Sequence, residues 1–371
     1  MKVAQSVLDL AALVADALGY PPSHQPTLDQ SLVHAAIHRH QIGPLLFAAV
    51  PRLQDRMPPA LREELGRHYS DNAHRQQDAM TRLVGIGTAF SAHRISWMTL
   101  KSAPQAAALY GDPALRHSSD IDLLVAPCDF ARAIEVLAMV GYIPSNPPAP
   151  AGPMRRAILA AVRDVSLIAR EDHRCAVDLH RRLFLAVGRR ARAIELKRDG
   201  GLVPSPRLDA GLACYLILHG AQSYWVRLKW LVDLVPLLAR LDDAEKEKIP
   251  RLARLSGTEK SVAASLMLLQ SLFPFAALGP LQSWLAQQVG QRSVQARLTR
   301  YACALGMEND RGHSPLDNAG LTMQAYMSLF ESPWTRVQMV PVAALSSLVR
   351  RTAGAIWRKE RALTRSDAPA E

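Results

Sequence analysis

The chain has 371 residues, with 44 Lys and Arg against 33 Asp and Glu, a formal net charge of +11, and apolar residues at 49%. That apolar share can bury a full core and excludes a chain disordered throughout, while the length suits two domains or one domain with a large appendage. No uncharged apolar run reaches the ~20 residues of a membrane span, and acidic and polar residues break the first ten positions, so a soluble, cytoplasmic protein without a membrane span is expected.

Residues 6–91 read as helical: Leu8, Leu10, Leu13, Val14 and Leu18 recur at three and four, and the rhythm returns at Leu45, Leu46, Val50 and Leu53. Pro21, Pro22, Pro26, Pro51, Pro58 and Pro59 divide this stretch into short helices, before one longer helix over 72–93 that Gly85 and Gly87 interrupt mildly. Within it His34 and His38 fall one helical turn apart, but no nearby carboxylate completes a ligand set, so an ordinary surface helix is preferred to a metal site.

The texture changes at 95–100 and again at 121–125, two β-prone runs with an Ala-rich helix over 104–110 between them and an amphipathic helix over 130–140 after them. A Pro-rich loop is expected over 144–153, a helix near 154–162, then strands over 165–169 and 175–180 joined by a hairpin at 171–174. A sheet of four or five strands follows from this pattern. From residue 208 the chain reads as helical, with segments over 211–222, 226–241, 261–272, 281–305 and 338–365 and no repeat at a fixed period.

Cys128, Cys175, Cys214 and Cys303 lie far apart with no CxxC, which argues against a disulfide framework or a structural zinc site. The positive charge thickens near the end, where Arg350, Arg351, Arg358, Lys359, Arg361 and Arg365 stand against Glu360 alone. Such an excess favours polyanionic partners, although a solvated helix face is the simpler account of the tail.

The sharpest local feature is Ser118-Ser119-Asp120-Ile121-Asp122-Leu123-Leu124-Val125. On a strand, a period of two sends Asp120 and Asp122 to one face and Ile121, Leu123 and Val125 to the other. Two crowded carboxylates raise each other's pKa unless a cation holds them ionised, and paired hard oxygens near a phosphate suit Mg²⁺. Upstream, the Leu100-Lys101-Ser102 turn opens a helix whose first amides offer an anion site. Downstream, Asp178 sits inside the β-like run Ala176-Val177-Asp178-Leu179-His180.

These parts resemble the DNA polymerase β-like nucleotidyltransferase superfamily. More narrowly, Leu-Lys-Ser-Ala at 100–103, Leu-Tyr-Gly-Asp-Pro-Ala-Leu-Arg-His-Ser-Ser-Asp-Ile-Asp-Leu-Leu-Val at 109–125 and Val-Asp-Leu-His-Arg-Arg-Leu at 177–183 resemble a bacterial family of uncharacterised nucleotidyltransferases. The likeness is strong over 97–183 and continues in Leu218-His219-Gly220 and in Leu228-Lys229-Trp230-Leu231-Val232-Asp233-Leu234. The family's turn glycine is Ser102 here, a change the wider superfamily tolerates because a hydroxyl can bond a phosphate.

The resemblance implies an α+β fold: a small mixed sheet over 95–205, flanked by an N-terminal helical segment over 1–94 packed on it and a C-terminal helical domain over 206–371. It implies that Asp120 and Asp122 bind two Mg²⁺ ions, with Mn²⁺ as a substitute, and that Asp178 binds the catalytic ion and takes or orients the acceptor's hydroxyl proton. Ser102 and its neighbouring amides would hold the β- and γ-phosphates, with Lys101 or Arg116 neutralising charge on the departing pyrophosphate. His180 would orient Asp178 or contact the acceptor.

For Lys101 and Arg116 the competing account is a salt bridge to the acidic pair; for His219 and Asp233 it is a buried hydrogen bond, and for Trp225 and Trp230 it is core packing. The implied activity is transfer of a nucleoside monophosphate from an NTP donor to a small-molecule, sugar or peptide acceptor, in the setting of lasso-peptide or polysaccharide tailoring. Two alternatives remain open: sugar-phosphate or glycosyl transfer at the same metal site, and a non-catalytic basic scaffold binding nucleic acid or peptide. A nucleic-acid partner is not expected for the enzyme. Removal of one acid is expected to cost much activity and little stability, since crowded carboxylates repel without a metal.

Overall fold

The computed structural model describes residues 3–53, 55–147, 159, 162–171, 176–184, 193–307, 327–332 and 337. The helix expected at 338–365, the basic cluster around Arg350 to Arg365, most of the helix near 154–162, the hairpin tip at 172–174 and Cys175 lie outside the described residues. None of the described helices is long and apolar enough to cross a membrane.

The chain begins with α1 (Gln5–Ala17), α2 (Gln30–His34) continuing into a π-helical turn (Ala35–Arg39), α3 (Gly43–Phe47), α4 (Val50–Leu53) and the 34-residue α5 (Pro59–Ala92). The sheet segment follows as β1 (Trp97–Thr99), α6 (Ala103–Tyr110), β2 (Asp120–Val125), α7 (Phe130–Met139), β3 (Tyr142–Asn146), β4 (Asp164–Ala169) and β5 (Ala176–His180). Then come α8 (Ala210–Ala221), α9 (Leu228–Val232), α10 (Leu234–Arg240), α11 (Asp243–Ser256), α12 (Glu259–Leu272), α13 (Leu281–Gln288) and α14 (Arg292–Gly306).

The five strands form one mixed α+β sheet in the order β1-β2-β5-β4-β3, with β2 and β5 parallel and the other neighbours antiparallel. Alternation along β2 buries Ile121, Leu123 and Val125 on one face, where Val165, Leu167, Val177 and Leu179 join them. Leu83, Ile86 and Phe90 of α5, with Phe130, Ile134 and Leu137 of α7, complete this apolar layer. The opposite face carries Asp120, Asp122, Ser166 and Asp178.

Four elements differ from the sequence reading. Part of the expected Pro-rich loop is strand β3, which Pro144 can join because β3 is an edge strand and needs no amide donor on its open side. The expected helix over 226–241 is two short helices meeting at Asp233, and the one over 281–305 is broken between Gln288 and Arg292. Helix α11 carries Pro250 in its interior and a charged, weakly apolar sequence, which hid it. The apolar residues of α1 to α4 share one core with those of α8 to α14, and it is the C-terminal half of α5 that reaches the sheet.

A single histidine ties the first segment to the helix that borders the polar face. His40 accepts the amide N–H of Leu228 at Nδ1 (3.3 Å) and that of Lys229 at its carbonyl (3.2 Å), satisfying two free donors at the start of α9. Burial, with Arg39 adding to it, pushes the imidazole down to about 3, so it stays neutral and able to accept. Burial also pushes His117 to about 3, with Lys229 and Arg75 contributing.

Two predictions follow from this packing. A Cβ at Gly87 would stand 2.7 Å from Cζ2 of Trp97, whereas a Cβ at Gly85 meets nothing within 4 Å. Gly85→Ala is therefore expected to raise the unfolding free energy by up to ~1 kcal/mol, and Gly87→Ala to lower it by about 1–3 kcal/mol, in denaturant titrations. His40 and His117 are protonated in the unfolded chain below about pH 6.5 but not in the fold, so each removes stability as pH falls through that point, by at most about 1.4 kcal/mol per pH unit. His40→Asn, which keeps an acceptor without titrating, should flatten the loss measured between pH 7 and 5.

Candidate active site

The polar face of the sheet owes its composition to register. Asp122 on β2 and Asp178 on β5 are Cα partners in the parallel ladder, so the two carboxylates, remote in sequence, leave the sheet side by side, with Asp120 two residues before Asp122. Ser166 on β4 is the partner of Asp178 on its other side. All three acids line a cavity of about 230 Å³, whose opposite wall carries Tyr215 and His219 of α8 with Lys229 and Trp230 of α9.

Asp122 is the hub. Its Oδ2 meets the Lys101 ammonium at 3.1 Å and its Oδ1 faces His180 Nε2 at 2.9 Å. Burial opposes ionisation of Asp122, but Lys101 and His180 outweigh it and hold the carboxyl well below the usual carboxylate range. Lys101 answers in kind: burial works against its charge, and Asp122, with smaller help from Tyr215 and Asp120, holds it above the usual lysine range. Asp178 goes the other way, because burial and the charges of Asp122 and Asp120 raise it while a Ser166 hydrogen bond opposes them.

The backbone explains why Lys101 arrives here. The amide of Leu100 donates to the Asp122 carbonyl (3.0 Å), which pins the end of β1 beside β2 and leaves the next side chain over the carboxylate. Beyond Asp122, the Lys101 ammonium lies 3.3 Å from His219 Nε2. Burial, then Lys101 itself, pushes His219 well below the usual histidine range, so the ring is neutral with Nε2 as acceptor and Nδ1 protonated. The Gln222 amide sits 3.1 Å from Nδ1 by its nitrogen, and a half-turn of that amide presents its otherwise unbonded oxygen to the N–H.

A second network places Arg116. Its Nε reaches Asp233 Oδ1 and Oδ2 at 3.1 and 3.0 Å, and its Nη2 reaches Oδ2 at 3.0 Å. Tyr110 donates to the same carboxylate at 2.7 Å. The turn that carries Arg116 hangs from α5: Asn72 donates to the carbonyls of Ala114 (2.7 Å) and Arg116 (2.9 Å), and Gln76 to that of Arg116 (3.0 Å). Asp233 thus has the buried structural bond expected for it, and the partner of Arg116 is this aspartate rather than the acidic pair.

The other sequence candidates divide. The hydroxyl of Ser102 is buried and donated to Thr99 Oγ1 at 2.8 Å, so the side chain expected to face phosphates is turned away from the cavity and satisfied inside the turn. His180 bonds Asp122 and approaches Asp164 (3.9 Å), instead of orienting Asp178. Trp225 is a core residue, bonded to Ser265 and packed on Gly220, where a Cβ would stand 2.2 Å from the indole; Trp230 lines the cavity and meets His219 edge-on. Arg163, Asp164, Arg227 and Lys229 also line it and were missed as site residues. For Lys229 a signal existed: a lysine inside the apolar run Leu228 to Leu238.

Among the described residues, no three His, Cys, Asp or Glu side chains are drawn together as a metal cluster. Within the acidic trio, Asp122 holds Lys101 with one oxygen and His180 with the other. The charge pairs make a direct stability prediction. Asp233→Ala leaves Arg116 buried without its counter-ion and is expected to cost about 3–5 kcal/mol in unfolding experiments, more than Tyr110→Phe, which removes one hydrogen bond worth about 1 kcal/mol.

No curated protein matches the chain. The family described as uncharacterised nucleotidyltransferase matches residues 26–274, about two thirds of the sequence, a span that includes the Lys101 turn, both acidic strands and the α8 and α9 wall of the cavity. The chain belongs to this family of nucleotidyltransferases.

Proposed function

We propose that the protein moves a nucleoside monophosphate from an NTP to a hydroxyl or phosphate of a small-molecule, sugar or peptide acceptor, with Mg²⁺ held by Asp120, Asp122 and Asp178. The observation that carries this reading is the register pairing of Asp122 with Asp178, which brings acids from two distant segments to one cavity beside several cations. The donor set fits the metal: carboxylate oxygens are hard ligands of which Mg²⁺ takes one or two, and a divalent cation would offset the burial and the Asp122 and Asp120 charges that lift Asp178. When bound, Mg²⁺ supplies Lewis-acid polarisation of phosphoryl oxygens.

The chain's own residues do the rest. Asp178 orients the acceptor's hydroxyl and takes its proton as the acceptor oxygen bonds to the α-phosphorus; the α–β bridging P–O bond breaks and pyrophosphate leaves with that electron pair. Lys101 and His180 keep Asp122 ionised and oriented. Arg116, fixed by Asp233, adds positive charge to the cavity wall. Precursors of modified peptides and of surface polysaccharides are the first acceptors to assay.

The test is incubation with Mg²⁺, NTPs labelled at the α-phosphate and a panel of acceptors: label on the acceptor is expected, and label transfer from sugar nucleotides alone would overturn the reading. Asp120→Asn, Asp122→Asn and Asp178→Asn are each expected to lower the rate by on the order of 10² or more, and a chelator should abolish it. Their stabilities should separate. Asp122→Asn strands the Lys101 charge and lowers the melting temperature, whereas Asp178→Asn removes a crowded carboxylate and raises it at neutral pH.

A further inference from the structure

The cations around the cavity are unequally committed. On the sheet side, Lys101 is paired with Asp122 (3.1 Å), Arg116 with Asp233 (3.0 Å) and Arg163 with Asp164 (2.9 Å). On the helical side stands Lys229, whose ammonium has no hydrogen-bond or ion-pair partner among the described residues. Its place is nonetheless fixed, because its backbone amide is held by the His40 carbonyl at the first turn of α9. Just ahead of it, the Arg227 guanidinium lies over the Trp230 ring and donates to Gln41 at 3.1 Å.

A partly buried ammonium beside other cations is costly unless an anion completes its surroundings. Burial, followed by the charges of Arg116, Arg227 and Lys101, lowers the Lys229 ammonium to about 7, and Asp120 is the acid that acts against this fall. The chain keeps a long amphiphilic side chain at this cost in the first turn of α9, beside the apolar residues Leu228, Leu231 and Val232. An oxyanion between the two walls would give the Lys229 ammonium the partner that it lacks among the described residues.

We infer that Lys229, with Arg227 beside it, forms a phosphate subsite on the helical wall that takes the part of the donor leaving as pyrophosphate, opposite the carboxylates that face its α-phosphate. The identity of the phosphates rests on the nucleotidyl-transfer reading; the presence of an anion subsite does not. It assigns to α9 the charge neutralisation that Lys101 and Arg116, both committed to carboxylates, supply less freely.

The subsite is tested with the full chain by calorimetric titration of inorganic pyrophosphate without metal, comparing the wild type with Lys229→Met and Lys229→Arg. Lys229→Met should weaken binding at least about tenfold, as expected for a lost charged hydrogen bond, and Lys229→Arg should restore most of it. Melting temperature guards against a merely structural effect: Lys229→Met removes a crowded cation and is expected to melt at or above the wild type. Unchanged pyrophosphate affinity in Lys229→Met, no binding by the wild type, or a lowered melting temperature without rescue by arginine would each overturn the inference. If pyrophosphate binding depends on Lys229 while no NTP leaves α-phosphate label on any acceptor, the transfer reading fails and the anion subsite stands.

Discussion

The structure depends on keeping Asp122 charged in a place where burial disfavours charge. Its two oxygens are occupied by Lys101 and His180, one delivered by the turn after β1 and the other by the end of β5. Through Lys101 the same network crosses the cavity to the neutral imidazole of His219 on α8, so that a carboxylate on the sheet and an acceptor on the helical wall share one ammonium. Separating any of these groups strands a buried charge or donor, which is why sheet and helices are held at one spacing around the cavity.

The remaining site residues are arranged by neutral scaffolding that is easily overlooked. Asn72 and Gln76, polar residues on the buried stripe of α5, hold the carbonyls of the turn that presents Arg116. His40 caps the start of α9 and thereby sets Lys229 in the opposite wall. Tyr224 and Trp225 take left-handed backbone angles (φ +50° and +57°), turning the chain so that Trp225 packs over Gly220 and α9 returns to the cavity. Such angles cost non-glycine residues free energy, and the burial of the indole with its bond to Ser265 offsets them.

Charge distribution gives the two walls different characters. The sheet wall has acids that are either neutralised, as Asp122 is, or crowded, as Asp178 is. The helical wall has cations, of which Lys229 is without a counter-ion among the described residues, and neutral aromatic rings. A substrate bearing both phosphates and an apolar or aromatic part matches this division. Nucleoside triphosphates have that composition, in keeping with the family to which the chain belongs.

Local pattern in the sequence determined much. Alternation over Asp120 to Val125 put two acids on one face because strand geometry has a period of two, and Asp178 announced itself as a charge within an apolar run. The helical texture of the N-terminal stretch was equally plain from the three-four spacing of its leucines. Tertiary structure decided what spacing along the chain does not encode: that β2 and β5 lie parallel with Asp122 against Asp178, that Arg116 spends its charge on Asp233, that Ser102 turns inward to Thr99, and that Lys229 faces the carboxylates across a cavity. Each of these depends on which neighbour a polar group finds when it is buried, and for Arg116 that partner, Asp233, is brought close only by the packing of the whole chain.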